Sequence, residues 1–188
     1  ELEARRKQYE YYLRDLLLKP VHGAGWLTLG DLGQVRMCKR VMKDQTSSDA
    51  DVPFFKIGTF GGHPDSYISR DLFQEYKRNY SFPKKGDVLI SAAGTIGRAI
   101  PYDGDDAYFQ DSNIVWIDND ESQVINKYLY YWYRITNWST DGGTIKRLYN
   151  NNLRNTKILA PPINEQQGIV SILDNFAALV KDLSSVLP

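Results

Sequence analysis

The sequence predicts an α+β fold: one β-rich domain with a few inserted helices, flanked by a helix at each end. Three observations predict it. Helical periodicity is confined to the two ends and to two or three internal stretches. Between them lie many short apolar runs of strand length, each closed by Gly, Pro, Asn, Asp or Ser. Those runs alternate with turns rather than with regular crossover helices, which argues against a doubly wound nucleotide-binding sheet.

The first segment, ELEARRKQYEYYLRDLLL, places Leu2, Tyr9, Leu13 and Leu16 on one helical side and sends Arg5, Arg6 and Lys7 to solvent. Glu3 to Lys7 and Glu10 to Arg14 are i,i+4 pairs in the favourable order, and Pro20 ends the helix. From Trp26 the period becomes extended: a strand, a Gly-punctuated turn and a second strand reach Arg40. Lys43 to Asp51 is polar and reads as a loop; VPFFKIGTF reads as a buried strand. Ser69 is an N-cap for a short helix whose inner face is Leu72, Phe73 and Tyr76. Gly86-Asp87 turns into a strand over Val88 to Ser91, AAGTIG forms a tight loop, and another strand follows. Tyr108 to Gln110 and NIVWID are further strands, and VINKYLYYWYRITN is an amphipathic helix with an aromatic face. TDGGTIKRLYNNNLRNTKILA reads as a glycine hinge, a basic strand, an Asn-rich turn and a last strand. After Pro161-Pro162, Asn164 is placed as N-cap with Gln167 three residues on, the spacing of a capping box. The stripe Ile169, Ile172, Leu173, Phe176, Leu179, Val180, Leu183 and Val186 then makes one apolar helical face.

At 188 residues the chain is long enough for a sizeable core. With 23 basic and 23 acidic residues it has no global electrostatic drive to nucleic acid or membrane, so any anion-binding face must be local. Cys38 is the only cysteine, which excludes disulfide frameworks and points to a reducing, cytoplasmic setting. No apolar run approaches membrane-spanning length, so no membrane partner is expected. The 13 tyrosines and 4 tryptophans fit a β-rich core. Tyr128, Tyr130, Tyr131, Trp132, Tyr133 and Trp138 are expected to pack rather than to stack on bases.

Four segments in order, ELEARRKQYEYYLRDLLL, GDVLISAAGTIGRA, GGTIKRLYNNNLRNTKILAPP and NEQQGIVSILDNF, together resemble the specificity subunit of type I restriction-modification enzymes. That family carries two target recognition domains joined and followed by conserved helices. The resemblance implies an N-terminal conserved helix over 1–19, one target recognition domain over 20–162 and a C-terminal conserved helix over 163–188. It also implies that the end of this chain reads on into its own beginning, as one unit of a head-to-tail repeat: a half-length subunit or a fragment. By the same resemblance the chain is a non-catalytic DNA sequence-specificity module without a cofactor. It reads one half of a bipartite duplex target and docks methyltransferase (modification) and restriction subunits. The terminal helices would form a coiled-coil-like spacer and docking surface through Leu2, Tyr9, Leu13, Leu16, Ile169, Ile172, Leu173, Phe176, Leu179 and Leu183, and allow a homodimer.

Reading DNA needs hydrogen-bond forks for base edges and positive charge for phosphates. The loop Ala92 to Arg98 offers Thr95 and Arg98 between two glycines. Thr144 to Lys157 holds Lys146, Arg147, Arg154 and Lys157 against no acid, interleaved with Tyr149, Asn150, Asn151, Asn152 and Asn155. Lys39, Arg40 and Lys43 in the polar loop, and Lys56, Gly58 and Thr59 at a strand end, complete the candidates.

Two other classes compete. One is an interaction scaffold whose domain does not read DNA. The other is a metal-dependent nuclease, because Pro64-Asp65 with Glu75 and Lys77 spells PD…ExK. That chemistry needs Glu and Lys on one strand, whereas here they fall in a predicted helix and diverge by about 200°. GTIGR lacks the Lys-Ser/Thr of a phosphate loop, and APPIN lacks the aromatic of a methyltransferase motif. His22 and His63 are isolated loop residues with no metal-ligand spacing.

Overall fold

The computed structural model describes the backbone of residues 2–144 and 146–186 and the side chains of 3–144 and 146–180. Its centre is a four-stranded antiparallel sheet. In chain order the elements are α1 (Leu2–Leu18), β1 (Gly25–Thr28), α2 (Leu29–Leu32), β2 (Val35–Arg36), β3 (Val52–Phe55), β4 (Tyr67–Ile68), α3 (Arg70–Asn79), β5 (Val88–Ser91), β6 (Ala99–Pro101), β7 (Tyr108–Phe109), β8 (Ile114–Ile117), α4 (Asn126–Ile135), α5 (Asn150–Asn155), β9 (Lys157–Ala160) and α6 (Ile163–Val186). The central sheet runs β2-β8-β5-β6. A second sheet, β4-β3-β7, joins an antiparallel pair to a parallel one.

The continuous apolar runs of β5 and β8 are explained by this position. Period-two alternation sends Val88 and Ile90, with Val115 and Ile117, into one core, and Leu89, with Ile114 and Trp116, into another. The central sheet thus has no solvated face over these strands. The second core also holds Cys38, whose burial pushes its thiol up to about 12 and leaves it protonated.

The β1–β9 pair decides how the two terminal helices meet. Its antiparallel register runs from Gly25↔Ala160 to Thr28↔Lys157. Since β1 follows α1 and β9 precedes α6, the pair sets the two terminal helices side by side. Tyr12 and Phe176 stack with ring centroids 5.1 Å apart. Tyr9, Leu13 and Leu17 of α1 share one core with Ile169, Val170 and Leu173 of α6. The aromatic helix α4 carries the same core: Tyr128 and Trp132 donate to the carbonyls of Leu159 and Lys157, both at 3.0 Å. Tyr128, Tyr131, Trp132 and Tyr133 are buried, as the aromatic face predicts.

Several local expectations need correction. Asn164 is not the N-cap of α6. The helix begins at Ile163, and the amides of Glu165 and Gln166 close its first turn on the Pro162 carbonyl. Nor is Gln167 the anchor. The fully buried Gln166 accepts from the Ile125 amide and donates to the carbonyls of Gln123 and Pro161, which ties α6 to the start of α4. The Gly-punctuated turn after Trp26 is the one-turn helix α2, capped by Asp31 accepting from the Thr28 amide at 2.7 Å, and the second strand is only Val35–Arg36. The polar stretch after Met42 contains a 3-10 turn over Lys43–Gln45. Among the described residues, the expected basic strand before Tyr149 is a single bridge, Asp141 to Arg147. The Asn-rich turn is the helix α5, started by Asn152 accepting from the Tyr149 amide.

Within the terminal stripes, Tyr9, Leu13, Ile169 and Leu173 are buried, and Leu16 and Phe176 are half-buried. Ile172 and Leu179, one heptad apart on α6, are exposed, as are Tyr11 and Leu18 on α1. The side chains of Leu2, Leu183 and Val186 lie outside the described residues.

Candidate nucleic-acid interface

Three segments far apart in sequence converge on one cleft of about 560 Å³. Arg40 and Lys43 come from the loop after β2, Lys56 from the end of β3, and Arg147 from the bridge before α5. Gln110, Asp111, Ser112 and Asn113, the turn between β7 and β8, form another wall. Four cations and one carboxylate line it in a protein of zero net charge, and one of the four, Lys56, is also paired with Asp65. A neighbouring cleft of about 520 Å³ shares Arg147 and Ser112 as a common wall and adds Tyr149, Asn150 and Asn151. Together they present charge for phosphates, amides for base edges and an exposed ring.

The β7–β8 turn is held rigidly. Its Gln110 amide donates to the Phe55 carbonyl, and the Gln110 side chain accepts from the Ile57 amide, both at 2.9 Å. Arg147 Nη2 donates to the Ser112 carbonyl at 3.0 Å and to Asn113 Oδ1 at 2.9 Å. Ser112 itself adopts φ of +60°, a left-handed conformation that a serine holds only where its surroundings enforce it. Gln110, Asp111 and Asn113 line this cleft and are not among the sequence candidates. Their signal, a polar QDSN turn between two apolar strands, marks a turn and carries no sign of what it faces.

Other candidates lie elsewhere or are engaged in structure. The Thr59 hydroxyl closes a turn with the backbone of Lys56, and the Lys56 ammonium sits 2.8 Å from Asp65. Lys39 lies over the Tyr80 ring. Asn152 bridges the Tyr149 amide and Asp141, and Arg154 packs against Gly30. Lys146 is exposed beside Arg147. Thr95 and Arg98 are exposed on the loop between β5 and β6, where Arg98 Nη1 donates to the Phe60 carbonyl at 2.6 Å. Gly97 in that loop has φ of +83°, and a methyl there would lie 2.3 Å from Trp138 Nε1. Gly97→Ala should therefore destabilise the fold by about 3 kcal/mol, from left-handed strain plus overpacking, read as a lower melting temperature.

The nuclease arrangement is not assembled. Glu75 and Lys77 lie on α3, Asp65 pairs with Lys56, and Lys77 approaches Asp106 at 3.8 Å.

Residues 25–187 match the type I restriction modification DNA specificity domain. The chain belongs to that family. The chain is 60% identical over 185 residues to a putative type I restriction enzyme specificity subunit of Haemophilus influenzae, covering 98% of this chain and 48% of that protein. It is 26% identical over 206 residues to the EcoR124I/EcoR124II specificity subunit of Escherichia coli, covering 100% of this chain and 49% of that one. The specificity-domain chain thus spans about half the length of these curated relatives. Its fold is shared with the HsdS subunit from Thermoanaerobacter tengcongensis, at a TM-score of 0.71 and 18% identity, over 100% of this chain and 46% of that one. A solved structure concerned with complex assembly and conformational transition of the type I R-M system gives a TM-score of 0.74 at 19% identity, over 98% of this chain and 47% of that one. These likenesses support the α+β architecture of the specificity domain with its flanking helices.

Proposed function

We propose that this chain is a non-catalytic DNA sequence-specificity module, with residues 20–162 as the recognition domain reading one half of a bipartite target. The observation that carries this reading is the convergence of Arg40, Lys56 and Arg147 on one cleft, walled by the amides of Gln110 and Asn113. A local cluster of cations in a neutral chain supplies the phosphate attraction that the overall charge does not. The amides and guanidinium groups beside it supply the forks that distinguish base pairs in the major groove.

The terminal helices have a second role in this reading. Their inner stripe holds the chain together, and the outer residues Tyr11, Leu18, Ile172 and Leu179 remain exposed. That outer face docks a methyltransferase subunit, or an equivalent helix from a second recognition unit. The restriction subunit joins through the assembled complex.

The test is DNA binding by the chain assembled with a type I modification subunit, across a randomised duplex pool and a salt series. A selected sequence should emerge, and binding should fall steeply with salt, log K against log salt having a slope of about −0.9 for each phosphate contacted. Equal affinity for every duplex would defeat the proposal in favour of a scaffold without DNA reading.

A further inference from the structure

Arg40 and Asp111 form an ion pair in the lining of the basic cleft, and its geometry is specific. Asp111 Oδ2 lies 2.9 Å from both Nε and Nη2 of Arg40. A guanidinium carries five N–H donors in a rigid plane. One edge, Nε with one N–H of Nη2, therefore faces the carboxylate. The end of the plane, Nη1 with the other N–H of Nη2, faces away from it. That end is a two-pronged donor fork, the arrangement that matches O6 and N7 of guanine in the major groove.

The two partners differ in freedom. The Arg40 side chain is 67% exposed, whereas Asp111 is only 15% exposed. Asp111 is held in the β7–β8 turn: the Asn113 amide donates to its carbonyl at 2.7 Å, and the Ser112 hydroxyl donates to its carboxylate at 3.3 Å. Arg147 in turn clamps Ser112 and Asn113. A well-anchored carboxylate thus orients an exposed arginine. With its arginine mostly exposed to solvent, the pair is screened and contributes only modestly to stability. A long side chain already held in one rotamer loses less entropy on contact, which favours recognition.

We infer that Arg40, oriented by Asp111, reads a guanine in the target of this chain. The inference rests on the DNA-reading function proposed above. Arg40 is the base-contacting group and Asp111 its positioning residue.

The experiment selects duplexes from a randomised pool with the chain assembled with a type I modification subunit, comparing wild type, Arg40→Lys and Asp111→Ala. Arg40→Lys keeps the charge and removes the fork. It should lose preference for guanine at one position of the selected sequence by about 5- to 150-fold, leaving other positions and the salt slope unchanged. Asp111→Ala should weaken preference at that same position by a smaller factor. Retained salt-dependent binding to random duplex shows that both variants are folded. Selected sequences identical to wild type at every position would overturn the inference while leaving DNA reading intact. A uniform loss of affinity for all sequences would also overturn it, making Arg40 a phosphate contact. If wild type selects nothing, the proposed function and this inference fall together.

Discussion

Replacing Arg147 with Ala is expected to weaken sequence-specific DNA binding by the assembled complex by about 1–3 kcal/mol, roughly 5- to 150-fold. Two effects combine. The guanidinium lines both clefts, so its loss removes a cation from the surface where phosphates would lie. It also donates from Nη2 to two acceptors of the β7–β8 turn, the Ser112 carbonyl and Asn113 Oδ1. Without that clamp the turn holding Gln110, Asp111 and Asn113 loses its tie to the segment before α5. Arg147→Lys separates the two effects. It restores the charge as a point donor but not the planar fork, so it should recover salt-dependent binding to random duplex more fully than sequence preference. The measurement is a titration of selected and random duplexes at two salt concentrations. Wild-type affinity of the Ala variant for both duplexes would remove Arg147 from the interface.

The second large effect concerns α6. Leu173→Ala is expected to lower stability by about 2–5 kcal/mol, because a fully buried leucine leaves a cavity its neighbours fill only in part. For a chain of this size each kcal/mol moves the melting temperature by about 2–4 °C, so the fall should be on the order of 10 °C. Leu179→Ala, at a side chain 60% exposed, should change stability by no more than about 0.5 kcal/mol. Its effect should instead appear as weaker association with a modification subunit or a second unit. Thermal unfolding of the isolated chain and a binding assay on the complex make the comparison. Equal losses of stability in the two variants would mean that α6 packs uniformly and has no outer face.

These two leucines also show where sequence reading stops. Both fall on one stripe at helical spacing, and periodicity assigns them one face. What separates them is the β1–β9 pair, which brings α1 alongside α6, together with α4 and the clamp of Gln166. A helical stripe states that apolar residues want cover; it does not name the cover or how far along the helix it extends. Local chemistry was more legible. Ser69 caps α3 as its position predicts, accepting from the Leu72 amide, because an N-cap depends on only a few neighbouring residues. The cap of α6 was misread for a related reason: Asn164 has the right type, but the carbonyl of Pro162 already closes the turn.

The interface divides in the same way. Residue chemistry alone marked Arg40, Lys56, Arg147, Tyr149, Asn150 and Asn151 as able to meet DNA, since charge and hydrogen-bonding capacity belong to the side chain. It marked Thr59, Asn152 and Arg98 on the same grounds, and the fold engages each of them in a turn, a cap or a carbonyl contact. It passed over Gln110, Asp111 and Asn113, which look like any polar turn until β3 pairs in parallel with β7 and sets that turn against Lys56.

By itself, then, the sequence determined the α+β class, the placement of most strands and helices, the aromatic face of α4 and the supply of candidate contacts. These depend on residue type and short-range spacing. Only the tertiary structure decided which candidates share a cleft, which carboxylate pairs with Arg40 and which of the described α6 stripe residues are covered. Those are matters of long-range pairing, set where the sheets close and two cores fill from opposite faces of one central sheet.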